Sequence, residues 1–358
     1  MGQTKRLTYF DMVKGFAIIL VVLGHVEYIS HPLRTWISSF HMPVFFIVSG
    51  MLIRYKNETD RDLKTLIPRK AKGLLVPYFW FSLLYFFIDI FNVCFDLISP
   101  KVFLTDLIGS LTFYGVSVLW FLPALFIAEI TFIFLTQKLK KPYISIPLIA
   151  VLAVFSYFLQ LKISGVYSAH ADSILITSII DFARVFLRGF IATIFVMIAY
   201  YLFPLINKRE TFSIWELLLG IVMFIINMFL SQVNGCVDFH YIIENNVPLF
   251  YLCALLGSFS LILICKNCKY LEPVGYLGKN SLIVMATHIN TYVLYCSILV
   301  AIQIDKLVTH AKSYIFVFNI VAITFLCEAV IIYVINRFFP FVLGKGEFPI
   351  KFKKKSKE

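Results

Sequence analysis

The chain has 358 residues, 60% of them hydrophobic and only 15% charged, with a mean hydropathy of +0.87. A soluble domain carries roughly a quarter charged residues and has no interior large enough for this much apolar surface, so the composition excludes one. The net charge of +12 sits in short clusters between apolar runs, not along one face interleaved with aromatics, which argues against nucleic acid as a partner.

A helix needs about 20 residues to cross the hydrocarbon core. Apolar runs of that length predict ten spans, at 10–29, 36–54, 73–95, 117–136, 143–161, 183–206, 213–231, 247–265, 280–303 and 313–340. The runs are continuously apolar and do not alternate with period two, so the expected fold class is an all-α integral membrane bundle and not a β-barrel. The first run carries Lys14 and His25 and lacks a small-residue cleavage site, so it is expected to remain as a helix. Residues 173–181 fit either an interfacial helix or the start of the sixth span. There is no internal repeat, and a single membrane domain over 1–345 is expected. It is followed by a polybasic tail at 346–358, suited to anionic lipid.

The N-terminus, the loops after the even-numbered spans and the C-terminus hold 24 of the 32 Lys and Arg residues; the remaining loops hold five. The positive-inside rule then places both termini in the cytoplasm.

Ionisable groups at membrane depth cost about 2.5 kcal/mol or more, so each needs a reason. Lys14 and His25 lie eleven residues apart on the first helix. At about 100° and 1.5 Å per residue they share one face, roughly 16 Å apart along the axis. A snorkelling lysine and a backbone-bonded histidine would explain them; so would a cation and a base at opposite ends of one site. His41 opens the second span, with Pro43 fixing the geometry behind it. By topology it lies near the same outer side as His25. Asp181, Arg184 and Arg188 share a face of the sixth span, as a structural ion pair or as a site for an anionic or polyhydroxyl ligand. Thr287, His288, Asn290 and Glu328 lie deeper, where helix–helix hydrogen bonds are the plainer explanation, above all for Glu328. Seven basic residues between Arg54 and Lys72 serve as topology signals and would also suit a phosphorylated ligand. Cys265 and Cys268 form a lone CxxC with no second pair, so no metal is expected.

At these same positions the sequence resembles the acyltransferase-3 family of membrane acyltransferases. YFDMVKGFAIILVVLGH (9–25) is similar to its first helix, marked by a basic residue, ten intervening residues and a histidine. FHMPVFFIVSG (40–50), RKAKGLLVPY (69–78), LWFLPALF (119–126), GKNSLIVMATH (278–288) and RFFPFVLGK (337–345) resemble further family motifs, in family order. The resemblance is greatest to the group that includes bacterial sugar O-acetylases. Where Lys14 stands, arginine is commoner in the wider family, and arginine grips bidentately where lysine offers a point charge.

The resemblance implies an enzyme of the bacterial cytoplasmic membrane. It would move an acyl group, usually acetyl, from cytoplasmic acetyl-CoA or another acyl-CoA to a hydroxyl of a glycan or glycolipid. On this reading His25 is the general base, because imidazole titrates near neutrality, and His41 is its helper or the alternative base. Lys14, Arg69 and Tyr78 are the candidates for the donor, and Arg184, Arg188 and Trp120 for the acceptor. His288 and Asn280 are further candidates from the 278–288 motif. The alternative from another class is a transporter or flippase for a lipid-linked sugar, which would use the same charges without consuming a thioester.

Overall fold

The computed structural model describes residues 6–209, 211–308 and 313–346. Among these, regular structure is α-helical apart from short 3-10 turns and one isolated bridge between Asp238 and Ile243. The helices are α1 (Thr8–Gly24), α2 (His31–Ser38), α3 (Pro43–Tyr55), α4 (Leu63–Cys94), α5 (Pro100–Leu111), α6 (Phe121–Leu139) and α7 (Pro142–Ala169). They continue as α8 (Ile174–Ile206), α9 (Ile214–Asn234), α10 (Val247–Asn267), α11 (Glu272–Lys279), α12 (Ser281–Thr287), α13 (Val293–Val308) and α14 (Ser313–Phe338).

Eight helical units among the described residues are long and apolar enough to cross a membrane: α2 with α3, α4, the turn at 117–120 with α6, α7, α8, α9, α10 and α14. The protein is therefore a multi-pass membrane protein. Three of the ten predicted spans differ from continuous membrane-length helices, the second because residues 39–42 interrupt it between α2 and α3. The first is a helix of 17 residues, about a turn short of the hydrocarbon thickness at 1.5 Å per residue. The ninth is broken between α12 and α13. There Tyr292 takes a left-handed φ of 61°, and its hydroxyl is hydrogen-bonded to Asn92 Oδ1 of α4 at 2.5 Å. Non-helical backbone at such depth survives when it is buried in protein or lines a cavity, and Ile289 in this break does line one. Residues 174–181 are the opening turns of α8, capped by Ser173, and not a separate interfacial helix. The twelve-residue α5, capped by Ser99, had no counterpart among the predicted elements. Residues 347–358 of the expected polybasic tail lie outside the described residues.

The core gathers α1, α3, α6, α8 and α10, with Val13, Ala17, Ile18, Val44, Phe46 and Phe195 fully enclosed. Large apolar side chains on α4, α7, α9 and α14 face outward, among them Phe87, Phe155, Phe229 and Phe318, as a lipid-solvated surface requires. Two glycines set α1 against α11. A Cβ on Gly15 would meet the Val274 carbonyl, and one on Gly278 the Asp11 carbonyl. Small residues at such crossings let backbones touch where no hydrophobic force drives helices together.

Candidate active site

Two cavities lie end to end along α1. The first, of about 390 Å³, is at the C-terminal end of α1 and is walled by His25, Arg34, His41, Trp120, Asp238 and His240 among others. The second, of about 200 Å³, contains Lys14, Ser49 and Glu129 amid apolar side chains of α3, α6 and α12. Val21, Met42 and Met285 line both and form the partition between them.

His25, His41 and His288 each follow the end of a short helix (α1, α2 and α12), and each turns its ring back onto the carbonyl four residues earlier. His25 Nδ1 lies 2.8 Å from Val21 O, His41 Nδ1 2.8 Å from Ile37 O, and His288 Nδ1 2.8 Å from Val284 O. A carbonyl oxygen only accepts, so each Nδ1 carries the proton and each Nε2 keeps its lone pair. Helix ends leave such carbonyls available. At His25 the backbone N–H has moved to Val22 O, which frees Val21 O for the ring. Bonding to the backbone and availability as a base are therefore compatible in one residue: the carbonyl fixes the tautomer that leaves Nε2 free to accept. His288 is fully buried, with Nε2 3.4 Å from His25 Nδ1 and its ring edge-on to the His25 ring. Beside it, Thr287 donates to the buried Glu328 carboxylate at 2.8 Å, tying α12 to α14 as a helix–helix hydrogen bond.

The cavity's far wall is aromatic. His240 stacks on Trp120 with ring centroids 5.5 Å apart, and Arg188 lies over the Trp120 ring at 5.4 Å and over Tyr114 at 4.6 Å. Arg188 is fully enclosed and donates to the carbonyls of Arg184 and Tyr114. Arg184 is paired with Asp181 at 3.0 Å and lies over Tyr167. Neither guanidinium is among the residues lining the two cavities along α1; both stand behind their wall, whereas Trp120 is part of it. Burial, together with the charges of Arg188 and Arg184, pushes the His240 imidazole down to about 3, so it stays neutral at physiological pH. The loop that carries it, 235–246, is fastened at its base by Asn234, Asn245 and Asn246. Asn245 bonds the carbonyls of Asn234 and Cys236, and Asn246 N–H bonds Asn234 Oδ1.

The Lys14 cavity is built from paired charges. Lys14 Nζ is 3.4 Å from Asp11, which Arg6 also grips at 2.7 Å. Glu129 accepts from Ser49 and pairs with Lys70 at 3.0 Å, and Lys70 pairs in turn with Glu58 at 2.7 Å. Arg69 is turned to Glu58 at 2.8 Å and lines neither cavity; its neighbour Lys70 reaches the cavity's carboxylate instead. Tyr78 is not brought to Lys14 either. Its hydroxyl donates to Ser110 O at 2.8 Å, and it lines a separate apolar cavity of about 440 Å³ between α4 and α5. Asn280 accepts from Asn336 at 2.8 Å and fastens the α11–α12 junction to α14.

Three groups on these walls escaped sequence reasoning. Arg34 is held by the Val26 and Glu27 carbonyls with its Nε unpartnered; in the sequence it was one loop charge among several. Glu129 lies within the fourth predicted span, where the cost of a buried carboxylate could have flagged it. His240 sits in a loop with no periodic signal, and nothing local announced it.

These features define a multi-pass membrane protein whose helical bundle holds an imidazole-lined cavity next to a cation-bearing one. The chain belongs to the acyltransferase-3 family: the family described as "Acyltransferase domain" matches residues 7–343, nearly its whole length, so it is an enzyme of the acyltransferase class. It is 31% identical over 144 residues to "Nodulation protein NolL" of Mesorhizobium japonicum, which is 36% of each chain. It is 37% identical over 98 residues to the protein of that name from Sinorhizobium fredii, 23% of this chain and 25% of the relative. The matches thus span about a third or less of these relatives' length. No solved structure matches the chain significantly.

Proposed function

We propose that the protein transfers an acyl group, acetyl in the first instance, from cytoplasmic acyl-CoA to a hydroxyl of a cell-surface or lipid-linked glycan. The observation that carries this reading is the pair of cavities meeting at Val21, Met42 and Met285, with a lone-pair-bearing His25 in one and Lys14 in the other. Membership of an acyltransferase family favours it over the transporter alternative. With 24 of the 32 basic residues on the termini and the loops of one side, both termini lie in the cytoplasm and the His25 cavity faces outward. The membrane is the bacterial cytoplasmic membrane.

In the reaction, His25 Nε2 takes the proton of the acceptor hydroxyl as its oxygen attacks the thioester carbonyl carbon. The carbonyl electron pair moves onto oxygen, and a tetrahedral oxyanion forms. Collapse restores the C=O bond and expels the CoA thiolate, which takes up the proton from the imidazolium; the products are the O-acyl glycan and CoA thiol. Such a base contributes about 10²–10⁴-fold. His41, with the same fixed tautomer on the same cavity, is the helper or the alternative base. Arg34 supplies a fixed cation there for the oxyanion, a contact worth about 3–4 kcal/mol in a dry site. Lys14 and the basic loop 54–72 hold the anionic body of the donor, Arg69 as part of that loop and Tyr78 only through the helix it fastens. Trp120 contacts the acceptor, and Arg184 and Arg188 serve it by shaping the wall behind. Residues 346–358 anchor the chain to anionic lipid.

The test is thiol release from acetyl-CoA by purified protein in nanodiscs with a cell-envelope acceptor fraction. Release that needs the acceptor and falls roughly 10²–10⁴-fold in His25→Ala is expected. Wild-type rates in His25→Ala at matched folded amounts would sink the assignment.

A further inference from the structure

A third cavity, of about 220 Å³, adjoins the His25 cavity, and Ser117, His240 and Tyr241 line both. It lies between α5, the start of α8 and the 235–246 loop, and no step of the proposed transfer uses it. Its walls combine the rings of Tyr114 and Tyr167 with the carboxylates of Asp106 and Asp181 and the hydroxyl of Thr105. Among the described residues the Asp106 carboxyl has no hydrogen-bond or ion-pair partner, and the buried Nε2 of His240 has none either. The nearby cations are engaged on the wall itself: Arg184 holds Asp181 and covers Tyr167, and Arg188 covers Tyr114 and Trp120.

Resting on the glycan-acylation reading, we propose that this cavity is a second acceptor subsite. It would hold an uncharged sugar unit next to the unit acylated at His25. Aromatic faces suit the apolar faces of a sugar ring, and a carboxylate acceptor suits its hydroxyls. Asp181 is already paired with Arg184, so the Asp106 carboxylate, which has no cation on it, is the wall charge that disfavours an anionic unit at this position. The two adjoining cavities together have the size of an ordinary ligand site, ~300–1,000 Å³. The acceptor is then a glycan of at least two units, read at both.

The experiment uses the full-length protein in nanodiscs, radiolabelled acetyl-CoA, and a partial hydrolysate of the envelope glycan sorted into one-, two- and three-unit fragments. The expected result is a higher kcat/KM for two-unit than for one-unit fragments. Asp106→Leu should reduce that ratio by about 10- to 100-fold, the loss for one hydrogen bond to a charged group, and Asp106→Asn should restore part of it. Equal rates on one- and two-unit fragments, a ratio unmoved by Asp106→Leu, or a preference for fragments with an acidic second unit would each overturn the subsite alone. Wild-type protein that acetylates no fragment would overturn the glycan reading and the subsite with it.

Discussion

The two ends of α1 solve opposite electrostatic problems. At the Lys14 end the polar groups are ions held in compensated clusters, Arg6–Asp11–Lys14 and Arg69–Glu58–Lys70–Glu129. At the His25 end three histidines, His25, His41 and His288, are fixed by backbone carbonyls and each presents a lone pair in a set direction. A charged cluster tolerates a large, anionic, variably placed ligand, because Coulomb attraction depends weakly on direction. Proton transfer does not: it needs one tautomer within hydrogen-bond reach of the hydroxyl. On the proposed mechanism the difference separates holding the donor from doing the chemistry, with α1 as the rod that spans both.

If the Lys14 end is held by compensation, removing one charge should cost the most there. Lys70 is 15% exposed, between Glu58 and Glu129 whose side chains are 4% and 6% exposed. Lys70→Met strips the buried Glu129 of its cation and leaves Glu58 with Arg69 alone. Breaking a buried pair in this way costs about 3–5 kcal/mol, so the thermal midpoint in nanodiscs should fall sharply. Adding Glu129→Leu should recover part of the loss, since one stranded charge is removed with its partner. A single variant that melts with the wild type would mean that these ion pairs do not support that end.

The charges of this region were legible as residue types but not as pairs. Lys14 and His25 could be placed on one face of one helix because α-helical periodicity needs no tertiary information. Arg69 was expected beside the donor because it stands in a basic run, yet only the fold decides that it turns to Glu58 while Lys70 turns inward to Glu129. The same holds for the acceptor side. The spacing of Arg184 and Arg188 was readable, but their position behind Trp120 depends on where α6 crosses α8. The break at 288–292 was hidden because an apolar run reads the same whether its helix is continuous or interrupted. His240 reaches the site through a long loop, the class of contact that sequence periodicity carries least.

The loop that closes the His25 end offers a second, milder contrast, a carboxyl left without any compensation. Glu244 is 2% exposed and neither side-chain oxygen has a partner, and burial pushes its pKa up to about 8. The folded value lies above the ordinary glutamate value of 4.5, so below pH 4.5 both states hold the proton and the group costs nothing. Between that pH and about 8 the unfolded chain releases the proton while the folded chain keeps it, and stability falls by up to ~1.4 kcal/mol per pH unit. Glu244→Gln removes this slope. Thermal unfolding of the two proteins should coincide near pH 4.5, with the variant the more stable by a margin that widens toward pH 8. Parallel curves over the whole range would show that the carboxyl is already ionised in the folded loop.

The partition decides whether the two ends act as one site. Val21 lines both cavities, is 2% exposed, and supplies the carbonyl that fixes His25. Because that carbonyl belongs to the backbone, side-chain changes at position 21 alter the passage while the tautomer lock remains. Val21→Phe puts a ring into the space where the thioester must pass, with an overpacking cost of about 1–3 kcal/mol softened by the cavities on either side. Val21→Ala widens the same passage. If the acyl group travels from the Lys14 cavity to His25, Val21→Phe should lower acetyl transfer by about tenfold or more, roughly 1.4 kcal/mol on the barrier, and Val21→Ala should not. On the proposed roles both proteins should retain binding of acetyl-CoA, because neither change touches Lys14 or the basic loop. Transfer at the wild-type rate in a folded Val21→Phe variant would mean that donor and acceptor meet by another route, and that the alignment of the two cavities along α1 serves packing alone.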